Sequence, residues 1–168
     1  MISWDMIRLP QLGSVLLAEL DGVSLIYLGL GEEQLQALNV FAGRYYSAHE
    51  LVRRSSPLLA EAANQIWQYW RGERQVFDLP VALAGTEFQK RVWRAMAEVP
   101  FGETTTYGQI AAHIGAPKAL RAVGQACGAN PVPIIIPCHR VLARNGLGGF
   151  SCGTSYKRLL LAREGIFK

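Results

Sequence analysis

Thr106-Tyr107-Gly108-Gln109-Ile110-Ala111-Ala112-His113-Ile114-Gly115-Ala116-Pro117 is the stretch that decides how the second half of this chain folds. Thr106 and Gln109 have the spacing of a capping box, in which a hydroxyl and a side-chain amide satisfy two backbone donors at a helix start. The spacing predicts a short helix carrying Ile110, Ala111 and Ile114. Gly115-Ala116-Pro117 then turns the chain into a further helix with Lys118, Ala119, Ala122, Val123 and Ala126. That helix ends near Gly128-Ala129-Asn130-Pro131, because proline cannot continue it. Two short helices joined by a tight glycine turn have the outline of a helix-turn-helix. Upstream, Thr86-Glu87-Phe88-Gln89 is another capping box, opening a helix whose Phe88, Val92, Met96 and Val99 line one face until Pro100 and Gly102.

The first third of the chain follows a different period. Ser14–Ala18 and Val23–Leu28 are apolar runs separated by Asp21-Gly22, a hairpin signal. Gly29, Gly31 and Gly43 punctuate the exit from this sheet, and after Pro57 the residues Leu59, Ala63, Ile66 and Trp70 fall at helical spacing, with Gly72 as a stop. Trp67 and Trp70 read as core. Phe77-Asp78-Leu79-Pro80 reads as a short extended linker, so an α/β domain over residues 1–80 is predicted to precede a mainly helical domain over 81–168.

The 168 residues, 50% hydrophobic and 18% charged, describe a globular protein with room for a real core. No apolar stretch reaches the roughly 20 residues needed to cross a bilayer, and Met1-Ile2-Ser3-Trp4-Asp5 lacks the form of a secretion signal. Three cysteines, Cys127, Cys138 and Cys152, make an odd count without CxxC spacing, which points to a reducing compartment rather than a disulfide framework. The expected location is cytoplasmic, nucleoid-associated if the source is prokaryotic. The net charge of +4 hides an asymmetry: residues 1–80 carry six basic against nine acidic side chains, residues 81–168 eleven against four. A strongly basic second half suits a polyanionic partner.

Chemistry converges on Asn130-Pro131-Val132-Pro133-Ile134-Ile135-Ile136-Pro137-Cys138-His139-Arg140-Val141. A thiol is a strong nucleophile only as thiolate, and an adjacent imidazole is the usual means of making one. Burial against the isoleucines would raise the thiol pKa, so a base must offset it. The prolines stiffen the segment and hold Cys138 in one position, which suits a nucleophile attacking a base lifted from a duplex. On the helix before it, Arg121-Ala122-Val123-Gly124-Gln125-Ala126-Cys127-Gly128 is short in side chain, and an interior glycine costs about 1 kcal/mol relative to alanine. Such a helix could lie in a narrow minor groove, or Gly124 could serve close packing against a neighbouring helix. Arg121 is either a phosphate contact or a wedge.

Taken together, Asn130–Val141, Arg121-Ala122-Val123-Gly124 before it and Gly148-Gly149-Phe150-Ser151 after it resemble the O6-alkylguanine-DNA alkyltransferase family. The likeness is densest over residues 77–165. It implies a ribonuclease H-like sheet in the first domain and a winged helix-turn-helix in the second, binding double-stranded DNA through the minor groove. It implies that Cys138 accepts the alkyl group of an alkylated guanine, that His139 takes the thiol proton through a water, and that Glu164 orients the histidine. By the same resemblance Asn130 braces the turn around the site, and Tyr107 contacts the rotated phosphate and the base edge. Arg121 fills the vacated stack, with Ala122 and Gly124 on the same DNA-binding helix. Val141 and Ser151 belong to the base pocket.

A thioether at Cys138 offers no bond for water or thiol to cleave, so a single turnover is expected, with no cofactor and no metal, in a protein expected to be monomeric. The structural zinc of some family members is not expected, since the N-terminal part has no cysteine and only His49. Cys152 stands in the pocket loop where the family commonly has glycine or another residue, and either narrows the pocket or is neutral. Cys138 argues against the damage-flagging relatives that lack the reactive cysteine. A winged-helix regulator and a Cys-His hydrolase are the rival readings. The regulator would need an activating domain; the hydrolase leaves the small-residue helix and the basic half unexplained.

Overall fold

The computed structural model describes residues 1–47 and 49–167, and everything below concerns those residues. Strands β1 (Ile2–Leu9), β2 (Gly13–Leu20) and β3 (Ser24–Leu30) form an antiparallel meander. Asp21 and Gly22 both adopt positive φ, 52° and 73°, and Val23 N–H donates to the Leu20 carbonyl at 3.0 Å. These two positive φ values make the tight reversal, and pairing resumes at Leu20 and Ser24, so the three residues Asp21–Val23 join the strands. Helix α1 (Gln34–Tyr45) follows, then β4 (Leu51–Arg53), which pairs parallel to β1, and α2 (Pro57–Trp70). The sheet order is β3-β2-β1-β4, a mixed sheet.

Burial explains the layering. β2 is buried from Ser14 through Glu19, on both faces, because each face is covered. Leu16 and Ala18 join Ile2, Ile26, Leu38 and Ala42 in a core under α1. The alternate residue Glu19 points the other way and accepts a 2.8 Å hydrogen bond from Ser56, the N-cap of α2. In α2 the buried stripe runs through Leu59, Ala62, Ile66, Tyr69 and Trp70, one residue off the anticipated Ala63.

Three features depart from the sequence reading. Gly43 lies within α1 rather than at an exit from the sheet. That helix was not anticipated, because its N-cap Glu33 makes no side-chain cap and so leaves no capping signal. Phe77–Pro80 is not a free linker: Asp78 is held at both its N–H and its carbonyl by Gln65, and Phe77 packs on the Tyr69 ring at 5.5 Å. Strand pairing continues past it, with Leu25 N–H donating to the Pro80 carbonyl and Ala82 N–H to the Leu25 carbonyl. The chain accordingly divides into units Met1–Ala84 and Gly85–Lys168, four residues beyond the boundary drawn at 80.

The second unit is helical. It contains α3 (Glu87–Ala97), β5 (Thr105–Thr106), α4 (Tyr107–His113) and α5 (Leu120–Gly128). A one-turn 3-10 helix (Cys138–Arg140), β6 (Val141–Leu142), parallel to β5, and α6 (Thr154–Arg163) complete it. Both capping boxes form: Thr86 and Gln89 close α3, Thr106 and Gln109 close α4. Trp93, fully buried on α3, donates its indole N–H to the Ala126 carbonyl on α5 at 2.7 Å and fixes the two helices together. Gly115, at φ 74°, makes the turn that separates α4 from α5. No helix is long and apolar enough to cross a membrane.

Thr106→Ala removes the hydroxyl that accepts from Gln109 N–H at 3.1 Å. It should lower the unfolding free energy by about 1 kcal/mol in urea titration.

Candidate active site

The segment after α5 is held by one side chain. Asn130, buried at the helix end, donates from its amide nitrogen to the Ile136 carbonyl at 2.8 Å and accepts from Val132 N–H at 3.0 Å. Between those anchors Ile134 is forced to φ 74°, a conformation a β-branched residue adopts only under constraint. The loop delivers Cys138 to the first position of the 3-10 turn, with its N–H on the Ile136 carbonyl at 2.8 Å. Cys138 is 5% exposed. It lines a cavity of about 140 Å³ with Tyr107, Gly124, Cys127, Gly128, Gly149, Phe150 and Ser151.

Burial pushes the Cys138 thiol up to about 12, against smaller downward pulls from the Asn130 side chain and the Lys157 charge. At neutral pH such a thiol is un-ionised, so the site needs a base and a source of positive potential. An imidazole stands next in sequence. His139 is fully buried, and its Nε2 meets Glu164 Oε1 at 2.7 Å. With Nε2–H donated to the carboxylate, Nδ1 is the acceptor nitrogen, and it has no partner among the described residues. Burial lowers the His139 pKa, and Glu164 pulls it partly back, so the ring is neutral and able to take a proton at pH 7.

Glu164, the C-cap of α6, is shared. Arg140 forks onto it through Nε at 2.9 Å and Nη2 at 3.0 Å, and Gly102 N–H donates to it at 3.2 Å. The guanidinium is held in turn by the Val99 carbonyl at 2.6 Å. One carboxylate thus fixes two consecutive residues of the nucleophile's turn.

Of the residues singled out from the sequence, Cys138, Tyr107, Gly124 and Ser151 come together around the cavity, with His139, Glu164 and Asn130 behind it. Tyr107, first residue of α4, donates its hydroxyl to the Gly149 carbonyl at 3.4 Å. Arg121 lies outside the cavity. It is exposed and lines an adjoining open groove of about 830 Å³ with Tyr107, Leu120, Gly124 and Arg144. Gly124 borders both spaces, and a Cβ there would meet nothing within 4 Å. Ala122 lines neither. Val141 is buried behind the site and contributes its carbonyl, not its side chain, as acceptor for Lys157 at 2.6 Å.

Sequence reasoning missed Cys127, Arg140, Phe150 and Lys157. Lys157 had a legible signal: with Leu160, Leu161 and Glu164 it occupies i, i+3, i+4 and i+7 of α6, so two charges sit on the stripe a helix buries. Cys127 carried none, since a cysteine on a helix face usually reads as core. It is buried, its thiol donates to Met96 Sδ at 3.4 Å, and burial raises its pKa to about 12 as well.

The chain as a whole is similar to known proteins. Residues 87–166 match the 6-O-methylguanine DNA methyltransferase DNA binding domain. The chain is 45% identical to the methylated-DNA--protein-cysteine methyltransferase of Methanosarcina acetivorans over 83% of its own length and 91% of that protein. It is 39% identical to the inducible methylated-DNA--protein-cysteine methyltransferase of Bacillus subtilis over 96% of its length and 89% of that protein. Mycobacterium tuberculosis OGT, solved in complex with DNA, superposes with a TM-score of 0.81 at 36% identity, covering 98% of this chain and 94% of that one. The chain belongs to the 6-O-methylguanine DNA methyltransferase family.

Replacing Glu164 by alanine leaves the Arg140 guanidinium buried without its counter-charge. The variant should lose about 3–5 kcal/mol of stability in urea unfolding. A loss below about 1 kcal/mol would mean that the carboxylate does not hold the turn.

Proposed function

We propose that this member of the 6-O-methylguanine DNA methyltransferase family repairs DNA by direct reversal, moving the alkyl group of an O6-alkylguanine in double-stranded DNA onto Cys138. The observation that carries the reading is the cavity itself. It holds a thiol on a rigid turn, and the residue next to that thiol is a neutral imidazole backed by a carboxylate at 2.7 Å.

The steps follow from the groups present. A water between the thiol and His139 Nδ1 passes the Cys138 proton to the imidazole, and Glu164 stabilises the imidazolium that forms. The thiolate attacks the alkyl carbon in line. An S–C bond forms as the C–O6 bond breaks, and the electron pair stays on the guanine, which is reprotonated and left repaired in the strand. Tyr107 meets the base edge and the rotated phosphate, while the Ser151 segment and the backbone around Val141 close on the flipped base. Asn130 keeps the Cys138 loop in register. No metal or organic cofactor takes part.

On the DNA side, α4 and α5 act as a helix-turn-helix with the β6 segment as its wing, and the sheet of the first unit takes the ribonuclease H-like form. Support comes from the tight Gly115 turn between α4 and α5 and from small residues on α5 that allow close approach to a minor groove. Arg121, exposed at the start of α5, enters the stack in place of the extruded base and offsets part of an unstacking cost of a few kcal/mol. Ala122 and Gly124 lie along the groove beside it. The protein works as a monomer in the cytoplasm, on the nucleoid in a prokaryote.

The thioether product has no hydrolysable bond, so each chain reacts once. With excess O6-methylguanine duplex, intact-protein mass should rise by one methyl per chain, mapped to Cys138, and then stop; Cys138→Ala should remain unmodified. Continued turnover, or methyl found on Cys127 or Cys152, would overturn the assignment. Because burial lowers the His139 pKa, the single-turnover rate should hold level at neutral pH and fall only below the ordinary imidazole value of 6.5. His139→Gln should remove that acid limb along with most of the rate.

A further inference from the structure

Lys157 is fully buried on α6, and nothing in the reaction as written uses it. Its ammonium donates to the Val141 carbonyl at 2.6 Å and to the Gly149 carbonyl at 3.0 Å, and it lies 5.9 Å from the centre of the Tyr107 ring. These acceptors carry no full charge, so the cation is buried without an anion. An ammonium left in that state is costly, and burial lowers its pKa accordingly. The ionisable groups that face it are Tyr107 from α4, Cys127 from α5, and Cys138 and His139 from the 3-10 turn. Cys127 directs its proton to Met96. Cys138 is the group that turns negative when the site works. Lys157 also ties down Gly149, the residue whose carbonyl receives the Tyr107 hydroxyl and which lines the cavity with Cys138.

We propose that Lys157 is a positioning residue of the alkyl transfer: its ammonium pins the Gly149 wall of the cavity and supplies the positive charge against which the Cys138 thiol ionises. The proposal rests on the reading of Cys138 as the alkyl acceptor. In the resting site the cation lacks a counter-ion and the thiol lacks a charge. Passing the Cys138 proton to His139 creates the anion that the buried cation lacks. The imidazolium forms against Glu164, which it shares with Arg140, and the thiolate forms against Lys157, so each new charge faces one of opposite sign.

The test is the pH dependence of Cys138 labelling by iodoacetamide in the full chain, with the modified cysteine identified by peptide mass. In the wild type, log rate should climb with pH and then bend below 10.5, the ordinary lysine value, as the ammonium that supports the thiolate is lost. Lys157→Met and Lys157→Gln, checked for native unfolding behaviour, should label about tenfold more slowly at pH 7.5, equivalent to one pKa unit on the thiol, and should show no bend. Lys157→Arg keeps the charge at all these pH values and should retain most of the neutral-pH rate, also without the bend. A merely structural lysine would leave the shape of the profile unchanged. A wild-type profile with no bend, or a folded neutral variant with the wild-type profile, would overturn the proposal, and the wild-type arm decides even if no variant folds. Iodoacetamide needs no DNA. A chain that shows this profile yet takes no methyl from O6-methylguanine duplex would sink the proposed function instead.

Discussion

The buried carboxylate of Glu164 is the constraint on which the nucleophile's turn depends. It closes α6, and its oxygens are reached by His139, Arg140 and the Gly102 backbone. A lone buried carboxylate is costly, whereas this one faces a guanidinium fork and a ring nitrogen. The arrangement joins the end of the helix, the loop after α3 and the reactive turn through a single side chain. It also sets the tautomer of His139, because the ring must present its hydrogen to Glu164 and leave Nδ1 as the acceptor. Stability and protonation state come from the same contact.

Much of this was legible beforehand, for reasons that differ from residue to residue. The capping boxes at Thr86 and Thr106 were readable because a hydroxyl and an amide three residues apart satisfy a local geometric need wherever they occur. Asp21-Gly22 was readable because two consecutive positive φ values admit few other pairs. Asn130, Cys138 and His139 stood out as a stiff local run, and Glu164 was found through family likeness alone, since 25 residues separate it from His139. What escaped was what three-dimensional context supplies. Helix α1 has no cap signal, β4 is three residues long, and β1 was passed over although Ile2, Trp4 and Met6 alternate with polar neighbours. Cys127 acquires meaning only when α5 is brought to the cavity, and Lys157, legible as a charge on the buried stripe of α6, gains its acceptors there.

The electrostatics of the cavity show why its protonation states are arranged as they are. Cys138 and Cys127 are both held as thiols by burial, Lys157 is strained toward its neutral form by the same burial, and His139 is kept uncharged. Each group is uncomfortable in its charged state alone, and the discomfort is relieved when charges of opposite sign appear together. At rest the two thiols of such a site stay protonated. Its reactivity waits for an event that moves a proton within the pocket and brings a polarisable substrate up to the sulfur.

The two sides of the pocket are held in different ways. Cys138 belongs to a turn locked by Asn130, Glu164 and a left-handed Ile134, and cannot retreat from an adduct. The opposite wall is pinned at the Gly149 carbonyl by Lys157 and Tyr107; beyond it the chain runs through Phe150 and Ser151 to Gly153 at φ 107°, closed by a hydrogen bond from Gly153 N–H to the Phe150 carbonyl at 2.9 Å. Side chains exchanged in that segment change the space beside the sulfur, while the turn that carries Cys138 and the carboxylate behind it stay as they are.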